Sequence, residues 1–312
     1  MVWRWKMKVL LAFLLAILFA VTAAECRPLR IGTLPVGEGL PLWYAEDRGI
    51  FQREGVEVEV VPFQSAMERD LALQTGRIDG AIGDLVGTLI ARRAGLNLKV
   101  VTVISRPKPQ QALFSLVSAP GVGTRRVEDL EGRPVAISSN TVIEYVLDEI
   151  LRRRVKGVRK VEIKKIPLRF QMVLTGEVVA AVLPEPLASL AITRGAGRLE
   201  DDRGLKGTEV VLVFREEVIR SRRGVVEALG RAWQEVVRLI EADPHGAQSV
   251  LFERARIPRE VRESYFPPLC PVGLPSEEDL REVILWLHRK GIRVEDGYRD
   301  LVDPSFLRGQ GR

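Results

Sequence analysis

Residues 73–84 read LQTGRIDGAIGD, which combines the end of a helix, a glycine stop, a short buried strand and an acidic residue, Asp84, at the strand end. A second copy of the pattern, VLTGEVVAAVLPE, spans residues 173–185 and ends at Glu185. A Thr-Gly pair before an apolar run is a common turn signal, so two unrelated turns are the alternative interpretation. Two copies, each inside an alternation of strands and helices, predict two similar lobes that face each other.

The composition is that of an ordinary soluble globular protein, with 46% hydrophobic and 28% charged residues among 312. This length supports one or two domains with a large core. The net charge of +6 includes Arg4, Lys6 and Lys8, and without these three residues it is +3. Such a small surplus gives no indication of nucleic-acid binding.

Residues 1–24 have the features of a signal peptide: a basic start, an apolar run over residues 9–20, and small residues at positions 22–24. We therefore predict cleavage before Glu25 and a mature protein in the periplasm or on the outer face of the cytoplasmic membrane. The apolar run is short for a membrane-spanning helix, and an uncleaved anchor is the alternative.

The chain contains two cysteines, Cys26 and Cys270. Cys26 lies where a lipoprotein would be acylated, but Glu25 precedes it, whereas a lipobox requires a small residue there. A lipid anchor at Cys26 is therefore not favoured, and a disulfide with Cys270 or two free thiols stay open. Two cysteines and two histidines, His245 and His288, provide no spacing typical of a zinc site, so we predict no metal.

Hydrophobic patterning and turn residues predict an α/β protein with mainly parallel sheets flanked by helices. Residues 111–118 form an apolar extended stretch suited to a connection between lobes, and the strand 209–214 leads the chain back to the first lobe. A helical C-terminal part with a packed extended tail at 300–307 is expected to brace the first lobe. The predicted division is a signal peptide in residues 1–24, a discontinuous lobe 1 in residues 28–112 plus 214–312, and lobe 2 in residues 113–213. The predicted strands are 29–32, 56–60, a short buried strand between Gly76 and Asp84, and 98–104, then 134–137, 161–166, 178–183 and 209–214. The later predicted helices are 142–155, 168–175, 224–242, 244–253 and 276–290.

Several short motifs together resemble a known family, the solute-binding proteins of ABC importers for nitrate, sulfonates, taurine and thiamine pyrimidine precursors. The resemblance implies a two-lobed type II periplasmic binding protein fold, a Venus flytrap with two crossing segments as its hinge. It also implies that ligand binds between the lobes and that the closed form docks on a membrane permease, but it does not identify the ligand. The motifs are Ile31-Gly32, Pro41 with Ala45, Gly49-Ile50-Phe51 with Gly55-Val56, Ala72 with Gly76-Arg77-Ile78-Asp79, Asp129-Leu130-Glu131-Gly132, Glu185-Pro186 and Leu301-Val302-Asp303.

Ligands of open α/β sheets bind beyond the carboxyl ends of the strands, where helix N-termini present backbone N–H groups. That rule selects the loops that carry most of the candidate ligand-binding residues; Trp43 lies on the first predicted helix and Arg106 just after a strand end. These candidates are Pro35, Gly37, Glu38, Trp43, Ser65, Asp84, Arg106, Ser139, Asn140, Thr141 and Glu185.

Each candidate also has a structural alternative. Ser65, Ser139 and Thr141 are suited to helix capping, and we expect at least two of them to contact ligand as well. Asp84 and Glu185 either stabilise helix dipoles or accept hydrogen bonds from ligand N–H groups.

Trp43 either packs in the protein or stacks on a flat ligand, and Arg106 is the one nearby cation evident from the sequence. Together the candidates favour a ligand with N–H donors, such as a pyrimidine or an amino-sulfonate. Nitrate and bicarbonate stay open, because helix N-termini alone bind anions.

We therefore expect a monomeric extracytoplasmic substrate-binding component of an ABC importer, not an enzyme, with no cofactor. Its ligand would be a sulfonate, a nitrate-type anion or a thiamine-precursor pyrimidine, delivered to an ABC permease. A thiamine-pyrimidine-synthase-like enzyme is one alternative, although those enzymes use a cysteine-rich run and an active-site histidine. Here no such run exists, and Gly37-Glu38-Gly39 lacks the rest of a dinucleotide fingerprint. A ligand sensor without transport is the second alternative.

Overall fold

Two five-stranded sheets form the framework of the computed structural model, which describes residues 27–311. Their spatial orders are β2-β1-β3-β10-β4 and β7-β6-β8-β5-β9. We call the part built on the first sheet lobe 1 and the part built on the second sheet lobe 2. The strands are β1 (Leu29–Thr33), β2 (Val58–Pro62), β3 (Gly80–Asp84), β4 (Leu98–Ser105), β5 (Phe114–Ser118), β6 (Pro134–Ile137), β7 (Arg159–Glu162), β8 (Ala180–Pro184), β9 (Gly197–Asp201) and β10 (Val210–Arg215).

Helices cover both sheets, and a helical C-terminal part follows β10. The helices are α1 (Leu40–Asp47), α2 (Ile50–Arg53), α3 (Ala66–Gln74), α4 (Leu85–Arg93), α5 (Val142–Leu151), α6 (Ile166–Leu174), α7 (Leu187–Thr193), α8 (Glu216–Ser221), α9 (Arg223–Ala242), α10 (Pro244–Arg254), α11 (Glu277–Arg289) and α12 (Tyr298–Leu301). None of the helices within residues 27–311 has the length and apolar character needed to cross a membrane.

The two sequence copies occupy equivalent places in the two sheets. The first runs from α3 into β3 and the second from α6 into β8, and each of these strands is third in its sheet. Gly76 and Gly176 follow the two helices with φ of +70° and +76°, a left-handed conformation that glycine adopts without steric cost. The prediction of two similar lobes is therefore confirmed.

Two of the three residues suited to helix capping, Ser65 and Thr141, begin helices, whereas Ser139 binds Glu162 instead. The side chain of Ser65 accepts from the backbone N of Glu68, and the carboxylate of Glu68 accepts from the backbone N of Gln64. At α5, Thr141 accepts from the backbone N of Ile143. These side chains satisfy N–H groups that have no partner inside the first turn of a helix.

Both sheets are mixed rather than mainly parallel. β10 runs antiparallel to β3 and β4, and β5 runs antiparallel to β8 and β9. The stretch predicted as a connection contains β5, whose five residues are all buried, so it is an interior strand of the second sheet. The edge strand β9 was not predicted from the sequence, because its exposed and half-buried residues show little apolar pattern.

The predicted lobe boundary between residues 213 and 214 lies within β10, and the division at that point stays a prediction.

The C-terminal part packs on lobe 1, as expected. Helices α9 and α10 pack on α1, and α11 packs on α4. The tail is not extended as predicted: it contains α12 and a 3-10 turn, Pro304–Gly311, because Phe306 is buried and packs edge-on against Trp233. The predicted signal peptide and Cys26 lie outside the described residues, whereas Cys270 is buried with a free thiol.

Candidate functional site

A cleft between the two sheets is the candidate site. Its empty space, including the open mouth, is about 620 Å³. Both lobes contribute to it, and most of the wall is apolar. The lining residues from lobe 1 are Leu34, Val36, Glu38, Ala66, Arg69, Gly83 and Asp84; those from lobe 2 are Leu113, Phe114, Ser138, Thr141, Val142, Ile143, Lys164, Ile166, Arg169 and Pro184.

The cleft lies where the topology predicts it. The loops after β1, β3, β6 and β8 open into it, and helices α3, α4, α5 and α6 begin beside it. Carboxyl ends of strands and N-termini of helices therefore meet at one place, which is a favourable environment for negative charge. The lobes touch at the rim, where the backbone N of Ile166 lies 3.4 Å from the carbonyl oxygen of Gln64.

Arg169 on α6 is the most deeply buried cation of the cleft, with 1% of its surface exposed. Its Nε donates to the carbonyl oxygen of Val182 at 3.0 Å, and its Nη1 donates to that of Ile163 at 2.8 Å. No carboxylate of residues 27–311 forms an ion pair with it. Burial lowers the pKa of Arg169 to about 10, with Glu162 acting in the opposite direction, so the group is charged at neutral pH. Glu162 is thus an opposite charge in its surroundings, but within residues 27–311 no ion pair neutralises the guanidinium of Arg169.

Arg69 on α3 is the corresponding cation of lobe 1, but it is paired. Its Nη2 lies 2.8 Å from Asp70, and its Nη1 donates to the carbonyl oxygen of Ile82 at 2.8 Å. Although burial acts to lower it, Asp70 and Asp84 raise the pKa of Arg69 above its ordinary value. The guanidinium of Arg69 is thus already neutralised within lobe 1.

Two carboxyl groups line the cleft. Asp84 caps α4 by accepting from the backbone N of Gly87 at 2.8 Å; burial raises its pKa, while Arg69 and that N–H group lower it. Glu38 is 4% exposed, and burial raises its pKa to about 7. The nearby Glu185 and Asp202 raise the pKa of Glu38 further, and only its own N–H acts in the opposite direction.

The structure brings three of the predicted site residues, Glu38, Asp84 and Thr141, into the lining. Pro35 and Gly37 belong to the same loop as the lining residues Leu34, Val36 and Glu38, but they are not part of the lining themselves. Thr141 donates to the carbonyl oxygen of Ser138 at 2.7 Å while it caps α5, so its hydroxyl is largely engaged in local structure.

The remaining candidates lie outside the lining, and their contact with ligand stays a prediction. Ser65 caps α3, and Trp43 is buried against Gly39. Arg106 lies near Cys270, Glu209 and Asp279.

Three more of the predicted ligand-binding residues contact side chains that lie outside the cleft lining. Ser139 bonds to Glu162, and Asn140 accepts from Lys290 at 3.3 Å. Glu185 lies beyond the end of β8, 3.3 Å from Arg198.

Sequence reasoning missed the cations that do line the cleft: Arg69, Arg169 and Lys164. All three lie on or beside helices, whereas the strand-end rule selects loops. The signal was nevertheless present, because Arg69 and Arg169 occupy equivalent positions in the two repeats, six residues before each Thr-Gly pair.

A family model described as NMT1/THI5 like matches residues 38–247, about two thirds of the chain. The chain belongs to the NMT1/THI5-like family. No curated protein sequence matches it significantly.

Solved structures share the fold of this NMT1/THI5-like chain. The ligand-binding component of an ABC-type import system from Staphylococcus aureus, with zinc bound, has a TM-score of 0.77 at 16% identity and covers 90% of this chain and 98% of its own. The alkanesulfonate-binding protein SsuA from Xanthomonas axonopodis pv. citri, bound to MOPS, has a TM-score of 0.75 at 21% identity with the same coverage. These matches confirm the two-lobed type II periplasmic binding protein fold.

The same fold also serves an enzyme. The desulfurization enzyme DSZB has a TM-score of 0.67 at 13% identity and covers 92% of this chain and 99% of its own. Fold alone therefore does not separate binding from catalysis. Among residues 27–311, no group of three or more histidine, cysteine or acidic side chains is arranged to hold a metal ion.

Proposed function

We propose that this protein is the extracytoplasmic substrate-binding component of an ABC importer. It holds a small organic anion in the cleft between its lobes and passes it, chemically unchanged, to a permease. The observation that carries this proposal is the buried, charged guanidinium of Arg169, which lines the cleft without forming an ion pair in the described part of the chain.

A buried charge without a counterion is costly, and an anionic ligand would remove that cost. Nε and Nη1 of Arg169 donate hydrogen bonds to carbonyl oxygens of lobe 2, and these bonds hold the guanidinium plane in place. Nη2 is then the nitrogen that would donate to a ligand in the cleft. Guanidinium groups bind sulfonate-like or carboxylate oxygens through strong, charge-assisted hydrogen bonds. The adjacent N-terminus of α5 adds a partial positive charge.

The rest of the ligand would face hydrocarbon. Leu34 and Val36 from lobe 1 and Phe114, Val142 and Ile166 from lobe 2 line the cleft. Apolar walls with few polar groups are typical of sites for small organic molecules. A sulfonate with an organic body fits these walls better than nitrate, and a thiamine-precursor pyrimidine would fit if it carried an anionic group.

Binding without chemistry is supported by the composition of the cleft. Its lining from residues 27–311 includes no cysteine or histidine, and the free thiol of Cys270 lies outside it. The family resemblance of the sequence and the import proteins among the structural matches favour transport. Export through the predicted signal peptide would place the protein outside the cytoplasmic membrane.

A thermal-shift screen of the mature protein tests the proposal. Sulfonates, nitrate, bicarbonate and thiamine precursors would be added to the chain from residue 25 onward. A ligand at about 100 times its Kd adds roughly 2.7 kcal/mol to the free energy of unfolding. We expect organic anions to give the largest increase in melting temperature. If no anion raises it, the proposal is wrong, and mass spectrometry showing that a bound compound is converted would point to an enzyme instead.

A further inference from the structure

Glu38 presents a carboxyl group to the cleft that no cation neutralises. It is 4% exposed, lines the cleft from lobe 1, and forms no ion pair with any of residues 27–311. Asp84, the other carboxylate of the lining, accepts a hydrogen bond from Gly87 and lies near Arg69. Glu38 therefore differs from Asp84 in having only its own backbone N–H to stabilise its charge.

The groups around Glu38 disfavour its charge. Glu185 and Asp202 act on it as like charges, and the buried hydroxyl of Tyr265 lies beside the same loop. Glu185 is held by Arg198, and Asp202 accepts from the backbone N of Leu113 at 2.9 Å. The remaining charged groups of the cleft are Asp84, Arg69, Lys164 and Arg169.

Glu38 and Arg169 therefore lie in one cleft on opposite lobes, and neither forms an ion pair with a residue of the described part of the chain. Resting on the proposed function, we propose that the proton on Glu38 selects between two classes of organic anion. With the proton in place, the cleft prefers anions that carry no second charged group. Without it, the cleft prefers anions that also carry an ammonium or another N–H donor.

The physical reason is the change in charge and hydrogen bonding at one side chain. A neutral carboxyl donates an O–H to an anion oxygen and adds no negative charge, whereas a carboxylate repels an anion and accepts from an ammonium group. Because burial and the two neighbouring carboxyls raise the pKa of Glu38 to about 7, the change falls near neutral pH. Asp202, with a pKa raised by burial to about 6, loses its proton before Glu38 as pH rises.

A matched pair of probes tests this selection: propane-1-sulfonate and 3-aminopropane-1-sulfonate. They differ by one amino group, and neither changes its charge appreciably between about pH 6 and about pH 8. Kd is measured by isothermal titration calorimetry at both pH values. Ionisation of one group with a pKa near 7 changes its charged fraction about tenfold over this range. We expect Kd of the amino compound to fall about tenfold as pH rises and Kd of propane-1-sulfonate to increase.

The variant Glu38→Gln should abolish both pH dependences while the chain still folds, because it keeps the shape of the side chain. Glu209→Gln is the matched control. Burial and Asp279 raise the pKa of Glu209 to about 7 as well, but Glu209 lies outside the cleft lining. This control should keep the pH dependence of the parent protein.

Three results would overturn the inference: probes that bind with the same Kd at both pH values, pH dependences that survive in Glu38→Gln, or dependences that vanish in Glu209→Gln. Each leaves the proposed function intact, since an anion still binds. Failure of both probes to bind the folded protein would also reject the inference. Only an additional failure of the whole anion screen would reject the proposed function with it.

Discussion

Arg169 lies one hundred residues after Arg69, and the two guanidinium groups bind equivalent carbonyl oxygens. Arg69 donates to Ile82 at 2.8 Å, and Arg169 donates to Val182 at 3.0 Å. The two arginines differ in their acidic neighbours: Asp70 and Asp84 act on Arg69, whereas the equivalent positions in lobe 2 are Phe170 and Pro184. Asp70 forms an ion pair with Arg69, whereas Arg169 forms none with any of residues 27–311.

The first prediction concerns Arg169→Lys. Lysine keeps the charge but loses the planar fork, so the hydrogen bonds that orient it and one bond to the ligand are lost. A charge-assisted hydrogen bond is worth about 1.5–3 kcal/mol, so we expect anion affinity to fall by about tenfold to a hundredfold. Calorimetric titration with the best anion of the thermal-shift screen measures this loss. Arg69→Lys, whose ion pair with Asp70 persists, should lose less; equal losses in both variants would contradict the role of Arg169.

The second prediction concerns stability and pH at Glu38. The pKa of this carboxyl is ordinarily 4.5 and, because of burial, about 7 in the folded protein. Between these values the folded state keeps a proton that the unfolded state releases, so the free energy of unfolding falls as pH rises through that window. The loss is on the order of 3 kcal/mol at most.

Glu38→Gln cannot release a proton and should lack that loss. It should match the parent protein near pH 4.5 and exceed it in stability near pH 8, as measured by urea denaturation across the range. If the free energies of unfolding of Glu38→Gln and the parent protein differed by the same amount at every pH in this range, Glu38 would be ionised throughout it.

The third prediction concerns an ion pair between the lobes. Lys290, which caps the end of α11, binds the carboxylate of Glu144 on α5, and Lys160 binds the same carboxylate at 2.8 Å from within lobe 2. Burial acts to raise the pKa of Glu144, but Lys160 and Lys290 outweigh it and lower that pKa below 4.5. The stability these pairs contribute is therefore present above pH 4.5 and lost as pH falls through the lowered value.

We expect Lys290→Met to cost about 1 kcal/mol near neutral pH and to let the lobes separate, which increases the radius of gyration measured by X-ray scattering. Lys160→Met removes a pair inside lobe 2 and should lower stability without changing the radius. An unchanged radius in Lys290→Met would show that this pair does not hold the lobes together.

The fourth prediction uses a difference between the two repeats. β3 has Gly80 where β8 has Ala180, because a Cβ on Gly80 would lie 2.5 Å from the ring of Phe214 and 2.6 Å from the carbonyl oxygen of Val213. We expect Gly80→Ala to destabilise lobe 1 by about 1–3 kcal/mol through overpacking. Ala180→Gly should cost about 1 kcal/mol through backbone freedom and a lost methyl group. Chemical denaturation measures both, and a neutral Gly80→Ala would show that Phe214 moves aside freely.

Predictions that rest on neighbouring residues were confirmed. Ser65 and Thr141 cap helices, as their residue types indicate, and Gly76 and Gly176 follow helix ends in the left-handed conformation. These features depend on hydrogen bonds and steric contacts within a few residues, which a local pattern records directly.

Predictions that need distant partners were incomplete. Residues 111–118 were predicted as an apolar connection between the lobes, and only the pairing of β5 with β8 and β9 shows an interior strand there. Arg106 is the cation that the sequence places after a strand, yet the cations of the cleft lie on α3 and beside or on α6. Which side chains share a cleft depends on how two lobes pack, and no local pattern contains that information.

The sequence by itself determined the repeated strand–helix architecture, the helix ends and the family, because hydrophobic periodicity, capping residues and glycines act over short distances. Only the tertiary structure decided the chemistry of the cleft. It placed Arg169 and Glu38 on opposite walls, and the charge of each depends on which neighbours pack around it. Burial and the distance to a counterion are properties of the folded chain, so they appear only when both lobes are assembled.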